Sequence, residues 1–299
     1  MQITVIIPAK NESGSIGSVI GQVRKIFENI EVIVVDDGST DGTENVAKNA
    51  GAQVISHPYS KGNGAAIKTG ARSAQGEVIV FMDADGQHNA GDIPRLLARI
   101  NEGYDMVVGA RQKGSQANVG RGLANGFYNM LASYMTGQKI EDLTSGFRAV
   151  RASKFREFLS LLPNGFSYPT TSTMAFFRAG YAVAYEPIHA SARTREGKSH
   201  IKPLKDGVRF LLIIFKIGTL YSPLKLFAPL ALTIFLTGLA YYGYTFSSIG
   251  RFTNMSALLL STGILIFLMG LISEQITQLM YRDSNADYEV APESESDKG

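Results

Sequence analysis

An α/β domain followed by a C-terminal interfacial helix and a two-helix transmembrane hairpin is the architecture predicted for this 299-residue chain. Three observations predict it. Over the first 110 residues, short β-branched runs, Gly/Asp/Asn-rich turns and helical stretches alternate in βαβ rhythm. Farther on, 208–221 is strongly apolar yet carries Arg209 and Lys216, which with Lys205 share one helical face, as in a helix lying in a membrane interface with snorkelling cations. Beyond it, 227–246 and 255–273 are two uncharged runs of about 20 residues, each long enough to cross a bilayer as a helix.

The expected strands are 3–7, 31–35, 53–56, 78–82, 105–109 and 182–188. Several are apolar at successive positions, the pattern of strands buried on both faces in a parallel sheet. Helices are expected at 15–27, 43–50, 64–74, 92–101, 128–136, 154–162 and 168–178. In such a sheet the chemistry belongs at the carboxyl ends of the strands. The segment 112–126 is rich in Gly, Asn and Arg and poor in apolar residues, and is read as a mobile connection, a candidate lid or acceptor loop.

A basic stretch, 193–209, precedes the apolar runs and holds Arg193, Arg195, Lys198, Lys202, Lys205 and Arg209. The segment joining the two runs, 247–254, carries only Arg251, so the positive-inside rule puts the large domain and both termini in the cytoplasm, with the hairpin as a multi-pass anchor in the cell (inner) membrane. A soluble alternative, two long core helices, would require a polar face on each, and neither run has one. Residues 1–8 lack the basic and long apolar regions of a secretory signal and read as a first strand. The acidic, Ser-rich tail is expected to be disordered. The division expected is therefore 1–205 for the α/β domain, 206–222 for the interfacial helix, 223–281 for the hairpin and 282–299 for the tail.

Composition removes several kinds of chemistry. With no cysteine there is no disulfide framework, thiolate zinc site or cysteine nucleophile, and any metal must use oxygen or histidine ligands. A net charge of +3 gives no support for a nucleic-acid partner.

Three motifs sit at expected strand ends. Asp83-Ala84-Asp85-Gly86-Gln87-His88 follows the fourth strand, and its carboxylates and amide oxygen at alternate positions suit a hard divalent cation, Mg²⁺ or Mn²⁺, that could bridge a diphosphate. Pro8-Ala9-Lys10-Asn11-Glu12 ends the first strand, and Asp36-Asp37-Gly38-Ser39-Thr40-Asp41-Gly42-Thr43 ends the second. Carboxylates there can hold ribose hydroxyls and base N–H groups, with Asp36 and Asp37 facing the ligand while Ser39, Thr40 or Asp41 caps the next helix. A fourth segment, 61–70, opens a helix with small residues and brings Lys61 and Lys68, the latter a candidate donor contact, because helix N-termini attract phosphate. For His88, capping of the next helix and metal ligation stay open, and it is not counted among the metal ligands.

These motifs, together with Gly-Ala-Arg at 109–111 and Asp-Leu-Thr-Ser-Gly-Phe-Arg-Ala at 142–149, appear in an order and spacing that resemble glycosyltransferase family 2, of the dolichyl-phosphate mannose synthase type. The resemblance covers about residues 1–205. It implies a GT-A, Rossmann-like fold and inverting transfer of a sugar from a GDP- or UDP-sugar to a polyprenyl phosphate. It further implies metal ligation by Asp83, Asp85 and Gln87, and a nucleotide-sugar pocket formed by Pro8, Ala9, Asn11, Glu12, Asp36 and Asp37 with Asp83 and Asp85. The acceptor phosphate falls to Arg111 and Arg121, with Ser145 and with Arg195 or Lys198 in place of a Gly-x-Ser-Lys element that here reads Gly197-Lys198-Ser199-His200.

An acceptor phosphate monoester, with a second pKa of about 6, is largely a dianion at neutral pH and needs no strong base. Guanidinium groups that hold it matter more, which points to Arg111, Arg121 and Arg148 beside Asp85 as the catalytic set. The chain has no tryptophan and so lacks the Gln-x-x-Arg-Trp element of processive polysaccharide synthases, one alternative. A non-catalytic membrane subunit that binds nucleotide-sugar is the other. The sugar, the base and self-association are left open by the sequence.

Overall fold

The computed structural model describes residues 1–111, 119–165, 168–188, 218–219 and 221–286, with side chains in the early turns of the helix that starts at Val119 and beyond Met280 left aside. Arg195, Lys198, the 112–118 segment, nearly all of the expected interfacial helix and the 287–299 tail lie outside the described residues, as does the side chain of Arg121. The chain divides into two compact units, Met1–His200 and Ile201–Gly299.

In the first unit, seven strands form one sheet in the order β3-β2-β1-β4-β6-β5-β7. They are β1 (Ile3–Ala9), β2 (Glu31–Asp36), β3 (Gln53–Ser56), β4 (Val78–Phe81), β5 (Met106–Arg111), β6 (Arg148–Arg151) and β7 (Val183–Ile188). β1 pairs in parallel with β2 (Val5 opposite Val32) and with β4 (Val5 opposite Val80), and the side chains of Val5, Val32 and Val80 are fully or almost fully buried. The expected all-parallel sheet is corrected at β6, which runs antiparallel to both β4 and β5. Its four residues, Arg-Ala-Val-Arg, are too few and too polar at the ends to announce a strand, and only the open edges of β4 and β5 make it one.

Helices cover the sheet as their periodicity requires. α1 (Ile16–Ile26) buries Ile16, Val19, Ile20 and Val23, one face of a 3.6-residue repeat. α4 (Ile93–Asn101) buries Ile93, Leu96, Leu97 and Ile100 in the same way, after a 3-10 turn over Ala90–Asp92. Between them come α2 (Thr43–Asn49) and α3 (Asn63–Ser73). α3 lies very close on the sheet: a Cβ on Gly70 would come within 2.5 Å of Ile6 Cγ2, so any larger residue there must displace the Ile6 side chain. α5 (Val119–Thr136) begins nine residues before the expected start at 128, which turns the second half of the supposed loop into helix; α6 (Ala152–Arg156) is correspondingly shorter than expected, and α7 (Tyr168–Arg178) matches.

In the second unit, α8 (Pro223–Ile249) and α9 (Asn254–Ala286) form an antiparallel pair. Gly250 ends α8 in the left-handed conformation at φ 68°, donating its N–H to Phe246 at 2.9 Å, so the connection is shorter than the eight residues expected. Glycines set the packing distance: Cβ atoms on Gly238, Gly263 and Gly270 would fall within 2.9 Å of Leu259, Phe235 and Phe227 side chains. Glu274 of α9 accepts the Leu224 N–H in the first turn of α8 at 3.3 Å, where a helix leaves its donors unpaired. Mean hydropathy is 1.6 over the span in α8 and 2.3 over that in α9, and Leu232, Leu236, Leu258 and Leu265 stand exposed. At 27 residues and about 1.5 Å of rise each, either span exceeds the roughly 30 Å of a bilayer core.

Candidate active site

The carboxyl ends of β1, β2 and β4, adjacent and parallel in the sheet, open on a cleft of about 400 Å³. Pro8, Ala9, Lys10 and Glu12 line it from β1 and its following turn, Asp37 from the end of β2, and Asp83, Ala84 and Asp85 from the end of β4. Ser60, Gly62, Asn63 and Ala66 close the remaining wall from the approach to α3. Four carboxylates therefore face one ammonium, and this cleft can accept an anionic ligand only with added positive charge.

Two turns are tied together at its rim. Asn11, at φ 54°, adopts the left-handed conformation that asparagine tolerates better than most residues, and its Oδ1 accepts the Thr40 N–H at 2.9 Å. In return the Ser39 hydroxyl accepts the Asn11 N–H at 2.9 Å, and the Thr43 hydroxyl accepts that of Glu12 at 2.9 Å. Of the three candidates for helix capping it is Asp41 that accepts the Thr43 N–H, at 3.1 Å. Asp36 accepts the Ser39 N–H and hydroxyl on Oδ1 and does not line the cleft.

The Asp83 carboxylate is held from two sides. His88, buried and stacked on Phe147 with ring centroids 5.1 Å apart at 15°, brings Nε2 to 3.3 Å from Asp83 Oδ2. On the other side Gly146 is so near that a Cβ there would lie 3.1 Å from both Asp83 oxygens. Burial works to raise this carboxyl, but the His88 hydrogen bond and the fields of His88, Arg111 and Arg148 outweigh it and hold the group below the usual carboxylate range. His88 does not cap the next turn; Asn89 does, accepting the Gly91 N–H at 2.9 Å. Asp85 Oδ1 accepts the Gln87 N–H at 3.1 Å, which orders the turn that carries the third expected ligand.

Among the described residues no three His, Asp or Glu side chains form a closed cage. Two carboxylates on an open cleft nonetheless fit Mg²⁺ or Mn²⁺, which commonly take one or two protein carboxylates and complete their shell with water and substrate phosphate.

Several expected site residues lie elsewhere. Lys68 donates to the Leu162 carbonyl at 3.1 Å and to Asn164 Oδ1, which ties α3 to the loop after α6 rather than to a ligand. The first amides of α3 are occupied too: Ala65 N–H donates to the Asn164 carbonyl at 2.9 Å and Gly64 N–H to that of Gly165 at 3.2 Å. Two of this helix's N-terminal amides are therefore closed to a phosphate, and segment 61–70 meets the cleft through Gly62, Asn63 and Ala66.

Arg148 is fully buried, its Nη1 donating to the Pro169 carbonyl (2.9 Å) and to the Ser172 and Thr173 hydroxyls (2.8 and 3.1 Å), its Nη2 to the Ser145 carbonyl. Burial lowers its pKa. It supports the 142–147 loop from beneath and does not reach the cleft. Ser145 is also buried, with no partner for its hydroxyl among the described residues. Arg111, at the end of β5, makes a bidentate pair with Asp142 (Nε to Oδ2 2.7 Å, Nη2 to Oδ1 2.9 Å) and donates to the Thr144 hydroxyl at 2.6 Å; the Asp142 bond raises its pKa.

Lys10, Ser60 and Ala84 are cleft residues that the sequence does not assign, and Gly62, Asn63 and Ala66 are the cleft residues within segment 61–70, where only Lys68 is singled out as a donor contact. Lys10 stood inside a recognised motif, whereas Ser60 is brought in only by the tertiary hydrogen bonds of Asp37.

Comparison with known proteins accounts for both units. The chain is 28% identical over 292 residues to Glycosyltransferase AglJ of Haloferax volcanii, covering 93% of this chain and 94% of that one. It is 30% identical over 217 residues to a dolichyl-phosphate hexose transferase of the same organism, covering 72% and 93%. Among solved structures, glucosyl-3-phosphoglycerate synthase of Mycobacterium tuberculosis in complex with Mn²⁺ and UDP-glucose superposes with a TM-score of 0.56 at 25% identity, covering 73% of this chain and 78% of that one. The α/β unit thus has the GT-A-like fold the resemblance implied. Residues 222–279 match the GtrB C-terminal hairpin, in keeping with membrane association of the two apolar helices. Residues 4–159, just over half of the chain, match glycosyl transferase family 2, and the chain belongs to that family as a glycosyltransferase.

Proposed function

We propose that this glycosyltransferase transfers a sugar, with inversion, from a nucleoside-diphosphate sugar to a polyprenyl phosphate at the cytoplasmic face of the membrane. The observation that carries the reading is the pairing, in one chain, of a carboxylate-rich cleft at three parallel strand ends with a hairpin of membrane-spanning length. The names of the relatives support the acceptor class, and the Mn²⁺–UDP-glucose complex of the structural neighbour supports the donor class.

Pro8, Ala9 and Glu12, with the wall held by Asp37, cradle the nucleoside in this reading, while Asp83 and Asp85, with Gln87, hold Mg²⁺ or Mn²⁺. A cation bound there supplies the positive charge that the diphosphate needs as it leaves. Inversion requires the acceptor phosphate oxygen to approach the anomeric carbon from the face opposite the leaving diphosphate. Arg111, whose Nε and Nη2 are held by Asp142 and Thr144, orients that phosphate with Nη1. Arg121, Arg195 and Lys198 complete the proposed acceptor set, while Ser145, being buried, is left out of it. No side chain need remove a proton, because the nucleophile is already an anion. The functional divisions proposed are 1–205, 206–222, 223–281 and 282–299, with 206–222 lying in the interface and both termini in the cytoplasm.

The test incubates membranes containing the protein with Mn²⁺, a short polyprenyl phosphate and separately labelled GDP- and UDP-sugars. A mild-acid-labile labelled lipid is expected with at least one donor; none with any donor overturns the reading.

A further inference from the structure

Asp37 borders the cleft, yet its carboxylate is already full. A carboxylate offers about four lone-pair positions. Oδ1 accepts from His57 Nδ1 at 2.8 Å and from the Lys61 N–H at 2.8 Å; Oδ2 accepts from the Ser60 hydroxyl at 2.7 Å and from the Gly62 N–H at 2.9 Å. The four donors lie 20 to 25 residues farther along the chain and belong to the segment that forms one wall of the cleft. His57 is buried, and its Nε2 stands 3.0 Å from the Thr69 hydroxyl on α3. Because an ionised Asp37 only accepts, Nδ1 of His57 must carry the hydrogen. The imidazole thus joins the end of β2 to α3 and fixes Asp37 in place.

We infer that Asp37 and His57 are positioning residues, which act on the donor nucleotide through the Ser60–Gly62 wall they suspend rather than by a direct hydrogen bond to the nucleoside. The inference rests on the donor reading of the cleft given above. Gly62 shows how closely the wall is held: at φ 103°, a conformation glycine tolerates, a Cβ there would lie 2.5 Å from the Asn164 carbonyl oxygen. Gly38 is equally confined, its φ at 71° and its Cβ position 2.9 Å from the backbone of Tyr59 and Ser60. The wall is therefore a close-fitted layer between the turn after β2 and the loop at 163–165, and Asp37 supplies its central anchor.

The experiment uses the full chain in detergent micelles and compares wild type, His57→Ala and His57→Asn. Asparagine can present an N–H where Nδ1 of histidine stands. Three readouts are taken: amide exchange at Lys61 and Gly62, titration with UDP and with GDP in the presence of Mn²⁺, and kcat and donor KM for whichever donor is turned over. His57→Ala is expected to speed exchange at those two amides about tenfold, and to raise the nucleotide Kd and donor KM about tenfold, with kcat within about twofold of wild type. His57→Asn is expected to restore most of each change. Unchanged exchange in His57→Ala overturns the inference, as does faster exchange with unchanged nucleotide affinity, or a fall in kcat at constant KM. Wild-type protein that binds neither UDP nor GDP overturns the donor reading and this inference with it; normal binding by both wild type and His57→Ala overturns the inference alone. Thr69→Val, which removes the hydroxyl facing Nε2, repeats the comparison if His57→Ala does not fold, with a change of about threefold expected in the same direction and no change overturning the inference.

Discussion

His88 Nε2 and Asp83 Oδ2 stand 3.3 Å apart, with the imidazole held flat against Phe147 and the carboxylate facing the cleft. A buried donor of this kind fixes which carboxylate oxygen remains for a cation. His88→Phe keeps the stacking surface and deletes the bond. It should weaken Mn²⁺ binding by about 10- to 100-fold, the usual cost of removing a partner behind a metal ligand, as measured by paramagnetic resonance on the full chain. Unchanged Mn²⁺ affinity would contradict this role.

Gly146 presses on the same carboxylate from the opposite side. A methyl group 3.1 Å from both Asp83 oxygens must move one partner by a few tenths of an ångström, since β6 and the Tyr168 hydroxyl, bonded to the Gly146 carbonyl at 3.0 Å, restrain the loop. Gly146→Ala should cut kcat about tenfold and raise the Mn²⁺ concentration required, with thermal stability close to wild type. Full activity at limiting Mn²⁺ would show that the loop yields instead.

Arg111 and Asp142 give a prediction about selectivity. Arg111→Ala should raise the KM for polyprenyl phosphate at least tenfold and the donor KM less than about twofold. Arg111→Lys should recover little, because an ammonium cannot reproduce the bidentate pair with Asp142. Equal effects on both substrates would mean that the pair only braces the 142–145 loop.

Arg148 differs sharply. Its donors meet the carbonyls of Ser145 and Pro169 and two hydroxyls, all buried. Arg148→Met should therefore cost about 3 kcal/mol of stability, seen as a lower denaturation midpoint, by leaving buried acceptors unpaired. A stable Arg148→Met protein with a raised acceptor KM alone would return this residue to the reaction.

Asp37 makes stability depend on pH. Burial raises its pKa, but the bonds from His57, Ser60, Lys61 and Gly62 outweigh it and bring the group to about 2 from an ordinary 3.8. A depressed folded-state pKa contributes stability that is complete above the unfolded value and lost as pH falls through the folded one. Wild type should accordingly lose thermal stability between about pH 4 and pH 2. In Asp37→Asn, melting curves across that window should be flatter; an unaltered slope would assign the loss to other carboxylates.

Features fixed by local chemistry were legible in the sequence. The β-branched runs of β1, β2 and β4 and the Asp/Gly turns after them announce both strands and cleft, because strand, turn and carboxylate are contiguous in the chain. The hairpin is legible from length and hydropathy alone. What escaped depends on distant partners. β6 exists only by pairing with β4 and β5, and the glycines of 119–126 conceal the first half of α5. The four donors to Asp37 lie 20 to 25 residues away in the chain, and the sequence does not reveal them. Arg148 lies in a motif shared with functional residues, and only its complete burial separates it from them.

The central claim is metal-dependent transfer to a lipid phosphate, and the most direct measurement is label transfer by the purified full chain to a short polyprenyl phosphate, with Mn²⁺ and after chelation, beside Asp83→Asn and Asp85→Asn. The account predicts labelled lipid from wild type with Mn²⁺, its loss on chelation, and a fall of at least about 100-fold in either variant. Labelled lipid formed equally well without metal, or undiminished in both variants, would contradict it.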